Sequence, residues 1–284
     1  MLALIAVSIA LWWQPILRTL RLASSDEAYT HILLIVPMSL ALIYLERRSD
    51  TGPDQPGDKL GIGLLVVALA LAACAWWAPA SMAADVNLSL SMAALTLAWI
   101  GSVAVCRGRR ALRQWLFPLC FLFWIVPLPA AALEEVIYFL QIESAFAARL
   151  MFRLVGDPVT QDGVMLALTN LDVEVARECS SIRSSMLLVI VTMILAHLFL
   201  RSWWRRALLI VCAVPLAIIK NGLRVFVVAE LGMKVDPSYF EGHLHRRGGI
   251  LFLGVALVLT LALLWVLRRT EGRISAGAAR ASGG

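Results

Sequence analysis

Cys179 stands out among the five cysteines because of its neighbours in Arg177-Glu178-Cys179-Ser180-Ser181-Ile182-Arg183-Ser184. An apolar run begins here, so the thiol would sit at a helix start and feel the positive end of the dipole. Arg183 follows one turn on along the same face, and both effects favour the nucleophilic thiolate. The alternative is a small residue at a helix start, with Ser180 and Ser181 as caps. A second group is Lys220-Asn221-Gly222-Leu223-Arg224-Val225, where Asn221 and Arg224 are three apart and share a helix face. An arginine inside an apolar run is costly and points to function. Alternatively, its side chain snorkels to the interface or pairs with Glu230. A third group is Glu241-Gly242-His243-Leu244-His245-Arg246-Arg247-Gly248-Gly249. There His243 or His245 could take a thiol proton and return it to a leaving amine, or simply flank a helix as polar loop. A thiolate attacks a carbonyl, an arginine stabilises the oxyanion and a histidine moves protons, which suffices for acyl transfer through a thioester. That chemistry calls for no cofactor. No metal centre is suggested either, since two histidines two apart lack a further ligand cluster.

These groups need elements to hold them, and composition dictates which kind. Of 284 residues, 61% are apolar and 15% charged, with a mean hydropathy of +0.83. A soluble domain is near half apolar and a quarter charged, so this chain has too little polar surface for water. The net charge of +6 sits in short blocks between apolar runs rather than on one face, which speaks against nucleic acid. The reading is an all-α polytopic membrane bundle of about eight transmembrane helices, surrounded by membrane lipids. A span needs about 20 residues. Candidate spans are 1–17, 30–45, 60–80, 86–106, 114–133, 179–200, 207–231 and 248–267. The first lacks a basic leader and a cleavage site, so it is read as a span that stays.

Fourteen of the 25 Lys and Arg fall in one set of connecting segments and eight in the alternate set. The richer set should be cytoplasmic, which puts both termini inside and the three groups at the outer ends of their spans. Arg18 and Arg21 locally oppose this for the first span. The long outer segment after residue 133 divides in two. Residues 134–154 read as an interfacial helix, with Glu134 and Glu135 in its first turn. Residues 158–175 read as a hairpin around Asp162-Gly163. Residues 1–274 would form the membrane domain and 275–284 a disordered cytoplasmic tail, with no soluble domain appended. Cys74, Cys106, Cys120 and Cys212 read as small apolar residues, and His31 and His197 stand apart from the three groups.

The chain resembles the exosortase/archaeosortase family of membrane cysteine transpeptidases. The resemblance runs from Tyr29-Thr30-His31-Ile32-Leu33-Leu34-Ile35-Val36-Pro37, through Phe117-Pro118-Leu119-Cys120-Phe121-Leu122-Phe123-Trp124-Ile125-Val126-Pro127-Leu128-Pro129, to the three polar groups. Its specific parts are Cys-Ser-x-x-Arg-Ser at residues 179–184 and Asn221-Gly222-Leu223-Arg224-Val225. The resemblance implies Cys179 as nucleophile, Arg224 as its partner and His245 as the third residue, because His-x-x-x-Gly fits His245 to Gly249. Arg183, Asn221 and His243 would support them. Arg246 stands where the family often has an acid, so His243 competes with His245, and Arg247 with both, since archaeal relatives use Arg. The implied substrates are exported proteins with a three-part C-terminal tail: a short motif, one hydrophobic span and a basic cluster. The implied acceptor is a surface lipid or glycan-linked amine. Two other readings stay open, a plain intramembrane cysteine protease and a lipid or polysaccharide transport or assembly protein. Transporters usually show inverted repeats and broken helices near the midplane, whereas here the polar groups fall near the outer face and no repeat is seen.

Overall fold

The computed structural model describes residues 1–47, 57–77, 83–168, 171–175, 182–236, 238 and 243–281. The protein is an all-α membrane protein with one small sheet. Among the described residues, six helices are long and apolar enough to cross a bilayer, or eight if each of two bent pairs is one span. The chain divides into two compact units, Met1–Leu133 and Glu134–Gly284.

The first unit begins with α1 (Leu2–Leu11) and α2 (Trp13–Ser25), bent by 74°. The sequence suggested one span over 1–17. Pro15 explains the break, because it has no N–H to give the carbonyl of Leu11. After a short 3-10 turn come α3 (Ile32–Arg47), α4 (Lys59–Trp76) and α5 (Ala84–Gln114). α4 and α5 approach closely through glycines. A Cβ on Gly61 would lie 2.7 Å from the Val105 nitrogen, and one on Gly101 would lie 3.1 Å from the Gly61 carbonyl. Such small-residue seams suit lipid, where helices gain from tight packing rather than from leaving water. The Trp99 indole N–H donates to Ser8 Oγ at 2.9 Å and fixes α1 on α5.

The expected fifth span, 114–133, is not one straight helix. α6 (Leu116–Phe121) runs into a 3-10 turn ending at Ile125, and the chain then bends by 98° into α7 (Ala130–Val155). Ten helical residues cover about 15 Å, half of the roughly 30 Å bilayer core. Pro127-Leu128-Pro129 cannot continue the helix, and the backbone it frees is met by other elements. Ser89 Oγ donates to the Pro127 carbonyl at 2.6 Å, and the Tyr29 hydroxyl to the Leu128 carbonyl at 2.8 Å. Asp85 Oδ2 accepts from the Ala130 N–H at 2.6 Å and so caps α7. The backbone groups that the break frees thus keep hydrogen-bond partners. The expected interfacial helix therefore starts four residues earlier, and Glu134 and Glu135 fall in its second turn.

In the second unit, the expected hairpin is a three-stranded antiparallel sheet: β1 (Val159–Asp162), β2 (Met165–Leu168) and β3 (Leu171–Glu174). Gly163, with φ of +56°, supplies the left-handed turn between β1 and β2. Three helices follow: α8 (Ile182–Phe199), α9 (Trp203–Lys234) and α10 (His243–Ala281). Val159, Leu166 and Val175 pack with Ala145, Ala148 and Phe152 of α7 and with Val225 and Ala229 of α9. The sheet thus braces the half of α9 that holds the polar residues. At the opposite end, Glu271 of α10 accepts from the N–H groups of Arg201 and Ser202 at 3.1 and 2.7 Å, in the tight turn between α8 and α9. Glu271 also lies 3.6 Å from the buried Arg205 guanidinium. α10 shows a broad apolar face outward, with Ile250 79% and Val258 65% exposed, as a lipid-facing helix should.

Candidate active site

α9 buries one continuous stripe at helical spacing: Leu209, Ala213, Ala217, Lys220, Asn221, Arg224, Val228 and Gly232. One turn before Leu209 the buried Arg205 lies on the same face, the stretch from Leu209 to Ala217 is apolar, and three polar residues then interrupt the stripe. Sterics hold them in place. A Cβ on Gly222 would lie 2.6 Å from Ala147 Cβ and 3.0 Å from both the Ala148 nitrogen and the Ser144 carbonyl. Glycine at 222 therefore lets α9 lie directly on the α7 backbone.

Arg224 is 7% exposed and Asn221 is fully buried. The Arg224 side chain lies inside the protein rather than snorkelling, and Glu230 engages Lys234 through one carboxylate oxygen at 2.7 Å. Lys220 is also buried. Its ammonium donates to Ser184 Oγ and reaches Ser185 Oγ at 3.5 Å. Asn221 Nδ2 approaches the same Ser185 oxygen at 3.5 Å, the outer limit of a hydrogen bond. α8 and α9 are thereby joined through the first turn of α8, at the third and fourth residues of the helix that starts at Ile182. Arg224 stands one turn, about 6 Å, further along α9. Because α9 runs back along α8, this extra turn carries Arg224 toward the end where α8 begins. Placing a lysine at membrane depth costs on the order of 3 kcal/mol. Charge-assisted bonds to hydroxyls contribute about 1.5–3 kcal/mol each at good geometry. The cluster is thus tolerated but not a source of net stability, the usual balance at a functional site.

The structure brings Asn221 and Arg224 together with Lys220, Ser184 and Ser185. Arg183 is the second residue of α8 and is exposed. Cys179 lies outside the described residues. His243 and His245 fall in the first turn of α10, with their side chains outside what is described. His197 sits near the far end of α8. His31 belongs to the other unit, where its Nδ1 lies 3.0 Å from the Ala28 carbonyl and its ring packs edge-on against Trp124. The sequence reading gave Lys220 no role, although the rule that singled out Arg224 applies to it equally. Ser184 and Ser185 carried no comparable signal, because a serine in a first helical turn reads as ordinary capping. Among the described residues no group of three or more His, Cys, Asp or Glu could hold a metal.

The model of the transmembrane exosortase family matches residues 3–262, nearly the whole chain. The chain belongs to the transmembrane exosortase family. No curated protein and no solved structure matches it. The exosortase match spans both units, so the broken helices of the first unit are part of the family domain along with the polar cluster of the second. It also makes the protein a multi-pass membrane protein on grounds independent of hydropathy.

Proposed function

We propose that this exosortase-family protein is a membrane cysteine transpeptidase that cuts the C-terminal sorting tail of exported proteins and passes them to a surface acceptor. One observation carries the reading. A buried Arg224, backed by Asn221 and Lys220, lies toward the end of α8 from which the sequence leads back to Cys179 in three residues. Three residues of chain span at most about 11 Å.

In the proposed reaction the Cys179 thiolate attacks the scissile carbonyl, forming a C–S bond and an oxyanion. Arg224 donates N–H bonds to that oxyanion, in a site from which water is largely excluded. Collapse breaks the C–N bond, and His245, or His243 in its place, gives the leaving amine its proton. What remains is a thioester on Cys179. An amine on a surface lipid or glycan then attacks the thioester, yields its proton to the same histidine and releases the thiolate. Charge bias in the connecting segments supports an outer-face site with both termini inside, where the motif of a tail anchored by an inner basic cluster would arrive.

The test is co-expression with a tagged exported protein that carries a three-part tail, comparing wild type with Cys179→Ala. Mass spectrometry of the product's new C-terminus should show a cut that depends on Cys179 and carries added acceptor mass. A Cys179-dependent cut without added mass would make the enzyme a hydrolase. An equal cut in the Cys179→Ala protein would remove Cys179 from the chemistry.

A further inference from the structure

Three membrane helices change over at one level of the second unit. The apolar run of α8 stops at Phe199, α9 starts at Trp203, and the span within α10 ends at Glu271. Residues 199–206 and 265–271 hold five arginines (Arg201, Arg205, Arg206, Arg268 and Arg269) and one carboxylate, Glu271. The turn between α8 and α9 uses two of the five. Arg205 is buried beside Glu271, and the Arg206 Nε–H donates to the Leu200 carbonyl at 2.7 Å. The other three are exposed and, among the described residues, meet no carboxylate within ion-pair distance. The start of α9 adds to the excess of positive charge, because its first turn contains no acid to answer the helix dipole. Arg268 stands over the Phe199 ring, 5.6 Å from its centre, and Arg269 over the Trp265 ring at 3.8 Å. Stacking takes up the face of a guanidinium and leaves its N–H edge, the edge that fits phosphate oxygens in pairs. Arg268 also lies one turn before Glu271 on the same face of α10. The Arg201 N–H bonds Glu271, so Arg201 comes to the same place. Toward the bilayer centre, Val258, Leu261 and Trp265 are 65%, 49% and 54% exposed. Their three- and four-residue spacing leads along one face to Arg268 and Arg269. Exposed apolar side chains ending in cations are the complement of an acyl chain beneath a phosphate.

We propose that this end of the second unit binds one anionic phospholipid of the surrounding bilayer: Arg201, Arg268 and Arg269 hold its phosphate, and an acyl chain lies along Val258, Leu261 and Trp265. A zwitterionic lipid fits less well, because its ammonium would bring a further cation to three arginines. The site is distinct from the polar cluster of α9, since Arg206 and Lys220 are about 21 Å apart along that helix. It does not depend on the reading of Cys179.

The experiment is native mass spectrometry of the full-length protein in detergent micelles, titrated with phosphatidylglycerol or with phosphatidylcholine of the same acyl chains. The wild type should retain phosphatidylglycerol in preference. Arg201→Gln and Arg268→Gln should each weaken that binding about fivefold, and together about 25-fold, with phosphatidylcholine binding unchanged. The Arg201 side chain is exposed and outside the two ring contacts, so its variant tests the site in a protein that keeps its packing. Arg109→Gln with Arg110→Gln removes the same charge from exposed positions of α5 in the other unit and should leave phosphatidylglycerol binding at the wild-type level. Equal weakening by that pair would reduce the effect to general surface charge and overturn the site. Equal retention of the two lipids by the wild type would overturn it as well. Inorganic phosphate at matched concentration should not displace the lipid; displacement would make this a site for a free anion and overturn the lipid assignment.

Discussion

Gly222→Ala adds one methyl group at the close seam between α9 and α7. The new Cβ would stand 2.6 Å from Ala147 Cβ, and 3.0 Å from a backbone nitrogen and a backbone oxygen of α7. Carbon atoms rest at about 3.5–4.0 Å, so α9 must retreat from α7 by about 1 Å at this point. None of the three opposing atoms is the end of a flexible side chain, so the helices themselves have to move. Overpacking of this kind costs about 1–3 kcal/mol, which a protein of this size survives. Function should suffer more, because Asn221 and Arg224 flank the inserted methyl. A displacement of about 1 Å at a catalytic group costs about 100-fold in rate. The assay is a pulse-chase of tail processing, alongside the amount of enzyme in the membrane. Gly222→Ala should process about two orders of magnitude more slowly at near-normal abundance. Adding Ala147→Gly removes the nearest clash and should recover about tenfold, since the two backbone contacts remain tight. Wild-type processing by Gly222→Ala alone would refute the claim that this seam sets the position of Arg224.

Other perturbations probe separate parts of the structure. Arg224→Lys should lower processing by about 10²–10³-fold with normal insertion, because a point charge cannot reproduce the planar donor geometry of a guanidinium. Near-normal rates would remove Arg224 from the oxyanion role. Ser89→Ala and Tyr29→Phe each strip a donor from the Pro127–Leu128 turn. Each should destabilise by about 1–2 kcal/mol, read as a lower thermal midpoint in detergent. Unchanged midpoints would mean that the turn does not need those donors. Glu271→Ala leaves Arg205 buried without this partner and the Arg201 and Ser202 N–H groups without their acceptor. It should cost about 2 kcal/mol by the same measurement, whereas Glu271→Gln should lose less.

Hydropathy placed the membrane helices well, because a bilayer demands length and apolarity whatever the tertiary context. It missed the breaks, because a window average is blind to a single proline. Pro15 and the Pro127-Leu128-Pro129 run were in plain view as helix breakers, yet the apolar residues around them outweighed that signal. Asp162-Gly163 gave away the first turn of the sheet. β3, Leu171-Asp172-Val173-Glu174, escaped because its alternation merges with the approach to Cys179. Arg224 and Asn221 were legible as a pair because an arginine in an apolar run is too costly to be there for packing alone. Lys220 was equally visible in type. Its meaning came only from the serines opposite it, a contact between helices that no spacing within one helix can reveal.

The central claim is a covalent one, that the cut protein passes through a thioester on Cys179. The direct measurement is the mass of the Cys179 peptide from wild-type enzyme quenched with acid during turnover of a tail-bearing substrate, since the histidine serves both steps and its removal would slow formation of the adduct as well. The account predicts an acyl adduct on Cys179, ending at the cleavage site and released by hydroxylamine. Cleaved product with Cys179 unmodified throughout, and no adduct on that residue under any substrate load, would contradict it.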